Sequence, residues 1–111
     1  MLSVGWVMPG VDFEAVRSSV SMRQVLEWLG FQPSKQSGDQ WRGPCPLHES
    51  SRAESRSFSV NIALHRYRCF RCHASGNQIE LWAAAKQLSV YDAAIDLCQH
   101  ANLPVPWIER W

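Results

Sequence analysis

Apolar residues change their rhythm twice along this chain. Met22, Val25, Leu26 and Leu29 recur at spacings of three and four, which lines one face of a helix. Ser21 stands at the N-cap position. Gln24 completes a capping box with it, and Val20 and Val25 are placed for a hydrophobic staple. Gly30 suits the C′ position. The pattern predicts a helix over 22–29, with a short helical turn over 12–17 before it. Beyond a turn at 33–38 the period shortens to two. Residues 40–43 make a short strand containing Trp41. Phe58, Val60 and Ile62 alternate with Ser59 and Asn61, and Tyr67 and Cys69 alternate with Arg66 and Arg68. The polar stretch 50–57 separates these strands as a loop.

Helical spacing returns after Gly76. Asn77 with Glu80 opens a helix through Ile79, Leu81, Trp82 and Ala85. Ser89 with Asp92 opens the last, in which Val90, Ala94, Leu97, Cys98 and Ala101 share a face until Pro104 and Pro106 stop it. One helix, short strands and two more helices predict an α+β fold with an antiparallel sheet. Its expected extent is 12–103, between an irregular arm at 1–11 and a tail at 104–111.

Composition narrows the class. With 111 residues, 46% of them hydrophobic and 19% charged, the chain fits one ordinary globular domain. No segment approaches the roughly 18 apolar residues of a membrane span. The first ten residues lack the basic and apolar regions of a secretory signal. The expectation is a cytoplasmic protein with no membrane partner. Net charge is only +1, but it is unevenly placed. Residues 35–73 hold seven cations against three carboxylates, and the rest of the chain holds four against seven. An anion-facing surface and a merely solvated polar stretch both fit that asymmetry.

The sharpest chemical signal lies in the same stretch. Cys45-Pro46-Leu47-His48 is followed, twenty residues on, by Cys69-Phe70-Arg71-Cys72. A Cys-x2-His hook and a Cys-x2-Cys hook each turn two side chains toward one ion, and a strand pair in the spacer brings the hooks together. The expected result is one Zn2+ held by Cys45, His48, Cys69 and Cys72, closed to substrate and therefore structural. A redox Cys-x-x-Cys would open a helix, whereas Cys69 ends a strand-like run. Cys98 sits on an apolar helix face as a core residue. His73 is a rival ligand, but its adjacency to Cys72 makes joint chelation awkward.

At these residues the chain resembles the N-terminal zinc-binding domain of bacterial DNA primases. Cys45-Pro46-Leu47-His48-Glu49 matches that family's Cys-Pro-aromatic-His hook, with Leu47 in place of the aromatic. Ser57-Phe58-Ser59-Val60, Tyr67-Arg68-Cys69-Phe70-Arg71-Cys72 and Gly76-Asn77-Gln78-Ile79 follow in the family's order, and Gly38-Asp39-Gln40-Trp41-Arg42-Gly43 precedes them. The Thr-Pro usual before Ser-Phe is missing, and the loop 49–56 is longer. The resemblance covers about 13–103. It implies a zinc ribbon with a small antiparallel sheet and flanking helices, contact with single-stranded DNA, and a place in DNA replication and primer synthesis. Family members continue into an acidic catalytic core, and this chain ends at Trp111 without one. The expectation is a non-enzymatic binding module, either a fragment or a stand-alone relative, with replication proteins as possible partners.

Within that reading Arg42, Arg66 and Arg68 are candidates for phosphate contacts, and Trp41 or Tyr67 for base stacking. The same aromatics would equally suit packing around the metal, and Phe70 is assigned mainly that structural role. The competing expectation is a zinc-stabilised protein-interaction adaptor that exposes Trp82, Trp107 and Trp111. A zinc enzyme is disfavoured, because Arg52 stands where His-Glu-x-x-His needs its second histidine and no Pro precedes Cys69.

Overall fold

A computed structural model of the chain describes residues 10–47 and 55–108. The chain begins with β1 (Gly10–Val11), α1 (Phe13–Ser19) and α2 (Met22–Trp28). Five strands follow: β2 (Lys35–Ser37), β3 (Gln40–Gly43), β4 (Phe58–Asn61), β5 (Arg66–Cys69) and β6 (Ser75–Gly76). Helices α3 (Gln78–Lys86) and α4 (Val90–His100) and strand β7 (Trp107–Ile108) complete it. The five strands form one antiparallel sheet in sequence order. The α+β class with a small antiparallel sheet and flanking helices is as the sequence predicts.

The helix ends are set by the residues that announce them. Both capping boxes form, Ser21 with Gln24 and Asn77 with Glu80. Helix α2 closes in a Schellman arrangement: the Phe31 amide donates to the Leu26 carbonyl at 2.9 Å and Gly30, at φ +74°, to the Glu27 carbonyl at 3.0 Å. Helix α1 runs two residues past the expected turn.

Strand β2 lies where a turn was expected. Its three residues are all exposed and carry no apolar alternation to reveal it. It exists because Ser37 pairs with Gln40 across a two-residue Gly38-Asp39 loop. Gly38 takes φ +60°, as the first position of a type II′ hairpin turn requires. A second difference joins the expected arm to the expected tail. Gly10 pairs with Ile108 and Val11 with Trp107, and the Asp12 amide donates to the Pro106 carbonyl at 2.8 Å.

The core lies between the inner face of the sheet and the helices. Phe58, fully buried, has the Phe31 ring at 5.2 Å on one side and the Tyr67 ring at 5.6 Å on the other. Ile79, Leu81 and Trp82 of α3 are all buried, and α3 packs on α4, α1, α2 and the last two strands of the sheet. Trp82 is 1% exposed and its indole N–H donates to Asp96 Oδ2 at 2.7 Å. The helix that opens near Asn77 thus packs Ile79, Leu81 and Trp82 into the core, and Trp82 drops out of the exposed patch that the adaptor alternative would need, because α3 turns this side toward α4.

Helices and sheet are also tied by side chains. The Met22 amide, first in α2, donates to Nδ1 of His65 on the β4–β5 hairpin at 3.0 Å. Gln78 Nε2 donates to the Arg17 and Val20 carbonyls at 3.0 and 2.9 Å, holding the α1–α2 corner against the start of α3. Phe58→Ala should remove the central ring between Phe31 and Tyr67 and cost about 3–5 kcal/mol of unfolding free energy. Denaturant titration of the zinc-loaded protein measures it. A loss under about 1 kcal/mol would show that the sheet's inner face is not the core.

Candidate metal centre and nucleic-acid face

Cys45 follows β3, and Cys69 ends β5. The register places Phe58 opposite both Gly43 and Cys69, so the two hooks meet at one end of three adjacent strands. Cys45, Cys69 and Cys72 bring their sulfurs within 4.8 Å of one another. Two sulfurs bound at roughly 2.3 Å to one ion lie at most about 4.6 Å apart, so only slight side-chain rotation separates this cluster from a shared site. Cys45 and Cys69 are buried and Cys72 is exposed. Among the described residues the cluster includes neither Cys98, which is buried in α4, nor His73. His48, the fourth expected ligand, lies outside the described residues.

Backbone amides point at the sulfurs. Leu47 N–H donates to Cys45 Sγ at 3.4 Å, and Arg71 and Cys72 N–H donate to Cys69 Sγ at 3.4 and 3.3 Å. Such bonds favour the thiolate form. The second hook is closed by His73, whose amide donates to the Cys69 carbonyl at 2.9 Å and whose φ is +64°. Without a cation Cys45 resists ionisation. Burial, more than the Leu47 amide offsets, together with the neighbouring Cys69 and Cys72, pushes the Cys45 thiol from 9.0 up to about 12. A divalent cation reverses that balance, since a coordinating thiol is deprotonated outright. The donor set therefore fits a soft, thiolate-binding ion such as zinc.

Alternation on β5 separates this centre from the opposite face. Tyr67 and Cys69 point inward, Arg66 and Arg68 outward. The pairing extends the outer face into two rows. One runs Lys35, Arg42, Ser59, Arg68, Ser75, and the other Ser37, Gln40, Asn61, Arg66. These positions carry four cations and no carboxylate. Arg42 therefore joins Arg66 and Arg68, as expected. Its Nε and Nη2 donate to the Arg56 carbonyl at 3.1 and 2.6 Å.

The aromatics are distributed differently from the sequence expectation. Tyr67 is 5% exposed and stacks on Phe58, so it presents no face to a base. Burial first, and then the Glu80 charge, pushes its hydroxyl up to about 12. Trp41 pairs with Val60 on the inner face, partly buried, with the Arg23 guanidinium 5.4 Å from its ring centre. It does not share the arginines' face. Phe70, expected to pack around the metal, is 51% exposed instead. The Arg42 and Arg68 guanidiniums lie 5.2 and 5.1 Å from its ring centre. The signal for Phe70 was its parity with Arg66 and Arg68. Lys35 gave none, because β2 itself was hidden. Of the other proposed aromatics, Trp107 is 47% exposed on β7 and Trp111 lies outside the described residues.

A small antiparallel sheet with a thiol cluster at its end and helices on its inner face defines a zinc-stabilised ribbon domain. The CHC2 zinc finger family matches residues 11–110, and the chain belongs to that family. Its zinc is structural. It is 38% identical over 69 residues to a DNA primase of Helicobacter pylori strain 26695, a match covering 62% of this chain and 12% of that protein. It is 33% identical over 86 residues to a DNA primase of Synechocystis sp. PCC 6803, covering 77% of this chain and 13% of the relative. The chain thus spans roughly an eighth of these primases. A crystal structure of the Aquifex aeolicus primase, which comprises zinc-binding and RNA polymerase domains, is similar in fold over 23% of its chain and 91% of this one, with a TM-score of 0.68 at 20% identity. Among the described residues no helix is long and apolar enough to cross a membrane.

The metal makes opposite pH dependences for the loaded and stripped forms. Zinc displaces protons from its ligands, so the loaded fold holds fewer protons than the unfolded chain and loses stability as pH falls. The stripped fold, with Cys45 raised above its unfolded value, has that stabilising contribution in full below pH 9.0 and loses it as pH rises toward about 12. Thermal melts against pH should therefore show the loaded protein losing stability below pH 9.0, and the chelated protein losing the Cys45 contribution only above it. Elemental analysis should give about one zinc per chain, unchanged in Cys98→Ala and lost in Cys69→Ser.

Proposed function

We propose that this domain binds single-stranded DNA across the outer face of its sheet, as a non-catalytic part of replication or primer synthesis, with zinc held by Cys45, His48, Cys69 and Cys72. The observation that carries the reading is the placement of Phe70. An exposed ring flanked by Arg42 and Arg68, on a face with Lys35 and Arg66 and, among the described residues paired across it, no carboxylate, combines the two ingredients of single-strand binding. Cations follow the phosphates, and an aromatic face accepts any unpaired base. The primases it resembles support the same direction. A closed Cys3His site leaves no position for an activated water, which favours a binding role over a catalytic one. Replication proteins are the expected neighbours of such a module.

The Arg66→Ala/Arg68→Ala double variant should retain zinc and fold and bind single strands more weakly. If each of the four cations meets one phosphate, log affinity should fall with log salt at a slope of about −2.8, reduced to about −1.4 in the double variant. Phe70→Ala should cost about 1–3 kcal/mol of binding with little change in that slope. Fluorescence anisotropy of a labelled oligonucleotide across a salt series measures all three. Unchanged affinity and slope in folded, zinc-loaded variants would reject the outer face as the contact surface.

A further inference from the structure

Helix α1 packs on α3 and α4, and α2 on α3. Between these first two helices and the β4–β5 hairpin lies a polar cleft of about 720 Å3. Glu14 and Arg17 of α1 line it on one side, and His65 and Arg66 of the hairpin on the other. Among the described residues, one hydrogen bond crosses from hairpin to α2. The Met22 amide donates to His65 Nδ1 at 3.0 Å.

Each end of that bond is held independently. Met22 is fully buried, and Ser21 and Gln24 close their capping box beside it. Its amide is among the first of the helix, which have no acceptor within it. On the hairpin, Asn61 Oδ1 accepts the Ala63 and Leu64 amides at 3.0 and 2.9 Å. The tip therefore keeps its shape without help from the helices. His65 stands at φ +54°, a conformation uncommon outside glycine, and from it the ring reaches Met22.

An imidazole nitrogen accepts a hydrogen bond only while it carries no proton. With Nδ1 taken by the Met22 amide, the neutral ring has its proton on Nε2. Protonation places N–H groups on both nitrogens and sets a donor against a donor, so the bridge does not exist in that state.

We propose that His65 is a proton-operated latch. Neutral, it ties the hairpin to the start of α2. Protonated, it lets go, and the cleft widens. Glu14 favours the imidazolium, and the guanidiniums of Arg17 and Arg66 oppose it. On α3 the Glu80 carboxylate is engaged by the Asn77 amide at 2.8 Å, and on α2 Arg23 stands over the Trp41 ring. Arg66 follows His65 directly, so release shifts a cation of the outer face relative to the helices. The latch itself does not depend on what that face binds.

The test is a titration of the zinc-loaded chain by nuclear magnetic resonance from about pH 7.5 to about pH 5, which spans the ordinary range of histidine. At the upper end the ring nitrogen signals should report the Nε2–H form, with an Overhauser effect between the ring and Met22. On acidification the Met22 amide should shift upfield in one step with the ring, and the Overhauser effect should be lost. Acid also weakens zinc binding, so zinc content is measured at each pH and His65→Asn serves as control. Asparagine tolerates the left-handed backbone and carries an acceptor oxygen at the place of Nδ1, without a proton to gain. In that variant the Met22 amide should hold its position throughout. An Nδ1–H ring at the upper end, separate steps for ring and amide, or an equal shift in His65→Asn would each overturn the proposal. The parent titration decides the first two without the variant.

Discussion

Everything in this domain depends on the meeting of two hooks at one end of a sheet too small to hold itself. Its strands are two to four residues long, well below the usual five or six. Cys45 and Cys69 lie beside the buried Phe58, so the thiol cluster caps the same three strands whose rings form the core. Metal binding and sheet closure are then one event, as in other small metal-stabilised domains. Burial that raises the Cys45 thiol also means that a bound cation, which holds its ligands as thiolates, changes the charge state of the buried hook.

That coupling gives the outer face its rigidity. Inward positions on β3, β4 and β5 are occupied by Trp41, Val60, Tyr67, Phe58 and Cys69. The intervening positions are left free to carry charge, and alternation does the sorting. A one-residue slip of β5 would bury Arg66 and Arg68 and expose Tyr67 and Cys69, losing core, metal centre and basic face together. The arrangement of cations is therefore protected by the same contacts that hold the zinc.

Elements with a strong apolar period were legible in the sequence. Helices α2, α3 and α4 begin at the residues whose caps announce them, and β4 and β5 follow their alternation. The hooks were legible because liganding chemistry restricts residue type and spacing. What escaped was determined by pairing rather than by local pattern. Strand β2 has no buried position, so only its register against β3 makes it a strand. Strands β1 and β7 are two residues each, and their partners stand almost a chain length apart. Trp82 and Phe70 show the same limit from the side-chain end. Both are large and aromatic, yet one is buried by a helix–helix contact and the other exposed by strand parity, and neither fact is local.

The hydrogen bond from Met22 to His65 has a dynamic consequence. The first amides of a helix have no acceptor within it and commonly exchange with solvent by local fraying. Here the acceptor belongs to the hairpin, 43 residues away in sequence. The protection of the Met22 amide therefore depends on the contact between helix and the His65 ring of the hairpin, and not on the breathing of α2 alone. A single backbone proton at the start of a seven-residue helix thus acts as a clock for the separation of the two halves of the domain.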